Sequence, residues 1–190
     1  HALVVKGYIK NKSDVKKTSI AKSNDGNVMK GDLNEQMETK YEETHFVDST
    51  KAVWNYSLFT EEDIRNYQDG THYSLYNLFG AHPRVVLDTP GYYFAVWAPN
   101  ATFISVTGNF NDWNKESHPL FVRLDNSGIW EGFIPNFKRG DIYKYHIHGF
   151  KGLKMDKGDP YANFWEKRPL TASITWDMEY QWKDQDWMNK

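Results

Sequence analysis

Gly108-Asn109-Phe110-Asn111-Asp112-Trp113 gathers an indole, two amides and a carboxylate directly after a run of strand-forming residues. A flat indole lies well against the C–H face of a pyranose ring, because it is broadly apolar and keeps a polar N–H at its edge. Asn111 and Asp112 beside it supply donors and acceptors for ring hydroxyls. Further along, Lys144 sits between Tyr143 and Tyr145, and its ammonium has three donors with which to bridge adjacent hydroxyls. Trp113, Lys144, Asn111 and Asp112 are therefore the candidate carbohydrate-binding residues. Each type has a plainer use as well: a Trp in a turn also seals a core at a strand end, and a strand Lys also simply meets water.

Other chemistries find less support. His146 and His148 are two apart on a strand pattern, so both point to one face and could share a metal. A third ligand is required and none is marked, so a structural or exposed pair is expected, with no metal and no cofactor. Asp156 and Asp159 are close in sequence, but a retaining glycosidic mechanism needs two carboxylates about 5–5.5 Å apart in a cleft. These two lie in a short turn-forming segment, so no catalytic residue is expected. The chain has no cysteine, which excludes disulfides and thiolate zinc sites and fits a cytoplasmic setting. With 23 basic and 25 acidic residues, formal net charge is −2, so neither nucleic acid nor an anionic membrane is favoured as a partner. No apolar run approaches the roughly 18 residues of a membrane span. His1-Ala2-Leu3-Val4-Val5 is too short for a signal-peptide core, and a chain opening on His reads as trimmed.

The elements that would position these residues follow from the patterning. Residues 11–45 are rich in Lys, Asn, Ser, Asp and Glu, too polar to offset their ordering entropy, and disorder is expected there. Thr60 before Glu61-Glu62-Asp63 predicts a capped helix over about 61–68 that stops at Asp69-Gly70, docked by Leu58, Phe59, Ile64 and Tyr67. From Gly91 the period becomes two, with both faces apolar, as in a strand covered on both sides. Strands are predicted near Thr102–Thr107, Leu120–Leu124, Ile129–Ile134, Ile142–Phe150 and Thr171–Trp176, with turns between them. Short strands at this spacing predict an all-β, immunoglobulin-like antiparallel sandwich. The divisions expected are a mostly disordered tail or linker over 1–56, a short helix and lead-in over 57–90, the sandwich over 91–177, and the start of a linker over 178–190. All eight Trp lie at or beyond Trp54. Trp97 and Trp130 fall inside apolar alternation and are expected in the core, while Trp165, Trp176, Trp182 and Trp187 are expected to face a following domain.

A longer series makes the reading more specific. Tyr76 to Pro83 is followed by Gly91 to Asn100, the Gly108–Trp113 segment, Gly128-Ile129-Trp130-Glu131 and Tyr143-Lys144-Tyr145. Lys157-Gly158-Asp159-Pro160-Tyr161-Ala162, Arg168-Pro169, Thr171-Ala172-Ser173 and Tyr180-Gln181-Trp182 complete it. In this order the run, over about residues 57–190, resembles the N-terminal region of glycogen (1,4-α-glucan) branching enzymes. That region carries a carbohydrate-binding module of family 48 ahead of a glycoside hydrolase family 13 barrel.

The resemblance implies a non-catalytic module that orients α-1,4-glucan chains (glycogen, amylose, malto-oligosaccharides) and braces its own C-terminal catalytic barrel. In relatives that grip starch-like chains, the Trp and Lys at the positions of Trp113 and Lys144 both touch glucan. Those binders carry a second Trp in the hairpin after the Lys-bearing strand, where this chain has Gly149-Phe150-Lys151-Gly152-Leu153-Lys154. They also carry an Asn near the last strand, where this chain has Thr171-Ala172-Ser173. The departures imply weak binding or a structural spacer. The alternatives are the same module of a debranching or trehalose-forming relative, or an interaction domain without sugar contact. The implied catalytic carboxylates of the parent enzyme belong to the barrel, beyond this chain.

Overall fold

The computed structural model describes residues 4–6, 44–178 and 188. The expectations for residues 7–43, and for Tyr180, Trp182 and Trp187, lie outside the described residues. Strands β1 (Val4–Lys6) and β2 (Thr44–Phe46) pair antiparallel with each other. Helix α1 (Glu61–Gln68) precedes β3 (Gly80–Val86), β4 (Thr89–Trp97), β5 (Phe103–Gly108), β6 (Phe121–Val122) and β7 (Ile129–Pro135). Then come β8 (Ile142–His148), β9 (Lys154–Lys157), β10 (Phe164–Trp165) and β11 (Ser173–Ile174).

Two antiparallel sheets face each other. One runs β3-β4-β7-β6; the other runs β10-β11-β8-β5, with β9 also paired to β8. Between them lies one apolar cluster, built from Tyr92, Phe94 and Val96 of β4 against Ile104 and Val106 of β5 and Tyr143 and Tyr145 of β8. The opposite residues of β4, Tyr93 and Ala95, join Ile129 and Phe133 of β7 under Trp54, Phe59, Ile64 and Phe79. Strand β4 is thus covered on both faces, the arrangement its unbroken apolar run requires. The fold is the expected immunoglobulin-like sandwich with one short helix.

The helix forms for the expected reason. Thr60 Oγ1 accepts from the Asp63 N–H at 3.1 Å, and Asp63 Oδ2 accepts from the Thr60 N–H at 2.8 Å, a complete capping box. It ends at Asp69, followed by Gly70 at φ +71°, where glycine carries no Cβ penalty. Ile64 is its buried contact with the sheet.

Four expectations are corrected. The packed region begins before residue 57: Val47, Val53 and Trp54 are buried, and Trp54 exchanges two backbone hydrogen bonds with Phe133 at 2.7 and 3.0 Å. Within the expected lead-in, Gly80–Val86 is a full edge strand matched residue for residue to β4, and Pro83 suits that edge because it lacks a ladder donor. The last expected strand shortens to Ser173–Ile174, and β9 and β10 are additional. Trp97 is 56% exposed, not core, because it is the final residue of β4 and its ring hangs past the sheet, its Nε1–H donating to the Ser127 carbonyl at 3.1 Å. Trp130 is buried as expected.

A buried polar network had no sequence signal. Glu131 lies on the covered face between Ile129 and Phe133. It accepts from Tyr93 Oη at 2.5 Å, Ser57 Oγ at 2.8 Å and Arg123 Nη1 at 2.6 Å. Burial raises its pKa against the opposing pull of Arg123 and these donors.

Candidate carbohydrate-binding surface

The loop after β5 is shaped by its close approach to β8. A Cβ at Gly108 would stand 1.9 Å from the Ile142 carbonyl oxygen, so only glycine lets the two strand ends meet. Asn109 locks the junction, its Oδ1 accepting from the Ile142 N–H at 2.8 Å. Asn111 is the hub of the loop. Its Oδ1 accepts from the Gly108 N–H at 3.0 Å, and its Nδ2 lies 3.1 Å from the Val106 and Asn114 carbonyls. The same amide reaches Ser117 Oγ at 3.1 Å and His118 Nδ1 at 3.0 Å. With the amide occupied in this way, Asn111 holds the loop.

Asp112 and Trp113 follow with φ of +53° and +58°, both left-handed. Asp tolerates that region, whereas a bulky aromatic there is a rarity that its surroundings must impose. The Trp113 N–H is fixed by the Gly108 carbonyl at 2.8 Å, and its residue is 44% exposed. Asp112 is exposed beside it.

Lys144 comes to the same end of the β5–β8 ladder. Gly108 is opposite Tyr143, and Thr107 is opposite Lys144. Tyr143 and Tyr145 are buried in the core, so Lys144 between them takes the outer face. Its ammonium donates to Thr171 Oγ1 at 2.9 Å. The topology therefore brings the loop that carries Trp113 and the strand residue Lys144 to the same end of the β5–β8 ladder, while the Asn111 amide turns into the loop. The hairpin after β8 presents Phe150, 74% exposed, where sugar-gripping relatives were expected to carry a Trp.

The two aspartates read as a conceivable pair serve separate structures. Asp156 accepts from Lys115 Nζ at 2.8 Å and meets His146 Nδ1 at 2.6 Å. Asp159 is fully buried and accepts from Tyr143 Oη at 2.7 Å, Tyr145 Oη at 3.1 Å and the Tyr161 N–H at 2.8 Å. Burial raises the Asp159 pKa despite those donors, and burial together with the Asp159 charge pushes both tyrosines well above their ordinary range. Asp159 thus fastens the stretch after β9 to the sandwich core. Beyond it, Phe164 and Trp176 meet at 5.3 Å, and Arg139 lies over the Trp176 ring at 4.0 Å. Trp165 and Trp176 remain partly exposed, at 42% and 38%.

The sandwich thus carries an exposed Trp on a braced loop and a Lys on the adjoining strand, the side-chain types of a candidate sugar-contact surface. Residues 78–162 match the family described as Carbohydrate-binding module 48 (Isoamylase N-terminal domain). More particularly, this chain is similar to the corresponding part of 1,4-alpha-glucan branching enzymes GlgB. It is 49% identical to that of Cellvibrio japonicus over 130 residues, covering 67% of this chain and 18% of the relative. It is 40% identical to that of Trichodesmium erythraeum over 158 residues, covering 83% of this chain and 20% of the relative. Among solved structures, a pullulanase of Klebsiella pneumoniae complexed with maltotriose aligns at 27% identity and TM-score 0.42, covering 52% of this chain and 9% of that one. The chain spans about a fifth of the length of the curated relatives it matches.

Proposed function

We propose that this chain is the non-catalytic N-terminal module of a 1,4-α-glucan branching enzyme in glycogen synthesis. It holds α-1,4-glucan chains across Trp113 and Lys144, with Asp112 at the rim, and braces the catalytic barrel that performs the chain transfer. The observation that carries the sugar site is Trp113 itself: a partly exposed residue in a left-handed backbone conformation, its N–H held by the Gly108 carbonyl, on a loop that Asn109 and Asn111 tie to the strand ends. Strained backbone of this kind concentrates at functional sites. The exposed Phe164, Trp165 and Trp176 support a docking role toward the barrel, and a cytoplasmic setting belongs to the same proposal.

Titration with maltoheptaose tests the reading. One clear plate and one ammonium support affinity near the millimolar level, about −4 kcal/mol. Lys144→Ala should weaken it about tenfold, the equivalent of one charge-assisted hydrogen bond. Binding unchanged in that variant would remove Lys144 from the site, and no binding by the parent chain would leave the module as a spacer.

A further inference from the structure

The face of β8 that carries Lys144 also carries His146 and His148, and there the side chains converge. His146 Nε2 and His148 Nε2 stand 3.1 Å apart. Two imidazole nitrogens bound to one ion at about 2.0–2.1 Å, with an angle of about 90–109° between the bonds, are separated by about 2.9–3.4 Å. The observed spacing falls inside that interval. Behind the pair, the Asp156 carboxylate lies 2.6 Å from His146 Nδ1. When Nδ1–H donates to that carboxylate, the lone pair is left on Nε2, the atom that faces His148. A carboxylate behind a histidine is the arrangement that fixes the tautomer and raises the basicity of metal-binding imidazoles.

We propose that His146 and His148 chelate a divalent transition-metal ion, with Asp156 orienting His146. Imidazole nitrogen selects Cu2+, Ni2+ or Zn2+ over Mg2+ or Ca2+, which prefer oxygen. Among the described residues no group of three or more His, Cys, Asp or Glu side chains is placed to hold a metal ion. The pair therefore supplies two ligands, and solvent completes the coordination. Beside His146 a cleft of about 340 Å³ is lined by Lys115, Glu116, Lys154, Met155 and Asp156, and His148 is itself partly exposed. Lys115 is already engaged by Asp156, and at His148 the positive charge of Lys154 acts more strongly than the opposing charge of Glu116.

The test is a calorimetric titration of the full chain with Zn2+ and, separately, Cu2+ at neutral pH, alongside imidazole nitrogen resonances recorded by NMR. His1 and the remaining histidines are common to every variant, so the informative quantity is what each substitution removes. The chain should lose one metal equivalent in His148→Ala, a partly exposed position whose replacement spares the core. The His146 and His148 resonances should move together with that equivalent, Cu2+ should bind more tightly than Zn2+, and Mg2+ should produce no shift. Asp156→Asn should weaken the same equivalent by about 10–100-fold without abolishing it. Unchanged stoichiometry in His148→Ala, or resonances of this pair unmoved by either ion, would overturn the assignment and leave an ordinary imidazole–imidazole hydrogen bond.

Discussion

Replacing Trp113 by Ala and by Gly separates its backbone role from its side-chain role. A fully buried Trp covers about 150–250 Å². At 44% exposure, a little over half of that surface is covered here. At about 25 cal/mol per Å², truncation to Ala therefore loses about 2–3 kcal/mol. The backbone at φ +58° adds a term of opposite sign for Gly. An L side chain in the left-handed region costs about 1–2 kcal/mol, which Gly does not incur, while the extra freedom of unfolded Gly returns about 0.5–1 kcal/mol of that gain. Trp113→Gly should thus be more stable than Trp113→Ala by about 0.5–1 kcal/mol, the reverse of the usual ranking. Urea melts of the two variants measure this, and maltoheptaose titration of each measures binding, which both should lose. A Gly variant less stable than the Ala variant would refute the strained-loop argument. Retained glucan binding in either would refute Trp113 as the stacking surface.

Three further expectations concern the frame. Thr60→Ala should cost about 1 kcal/mol by removing the helix cap, read from a thermal or urea melt. Burial acts to raise the Asp63 pKa, but bonds from Thr60 and the contact with His72 outweigh it, so the net shift is below the ordinary 3.8. A depressed carboxylate stabilises the fold above its unfolded value, and that contribution is lost as pH falls through the folded one; melts below pH 4 should therefore show a loss that Asp63→Asn abolishes. Glu131→Ala should cost about 1–3 kcal/mol, because it leaves Tyr93 Oη without its acceptor and removes one of the carboxylates on Arg123, which keeps its pair with Asp125; a melt shifted by less than 1 kcal/mol would contradict the network's role.

Much of the frame is legible along the chain. Thr60 followed by three acids fixes the helix start because capping is local, and the unbroken Tyr92–Val96 run declares a strand covered on both faces. Trp113 and Lys144 stand out as sugar-contact types from chemistry and order alone. Other features depend on what lies across the sheets. Strand β3, with Pro83 and mixed polarity, carries no strong period and becomes a strand through its ladder to β4. Trp97 shares the pattern of its neighbours and is exposed only because β4 ends there. Val53 and Trp54 follow a polar stretch and are buried because they pack against β7, Val53 in the cluster between the sheets and Trp54 in the one on the opposite face. Asn111 has the composition of a sugar contact and becomes a brace once five neighbouring groups converge on its amide. Local propensity and side-chain chemistry are written residue by residue, whereas burial, strand edges and the partners of a polar group are properties of the assembled surfaces.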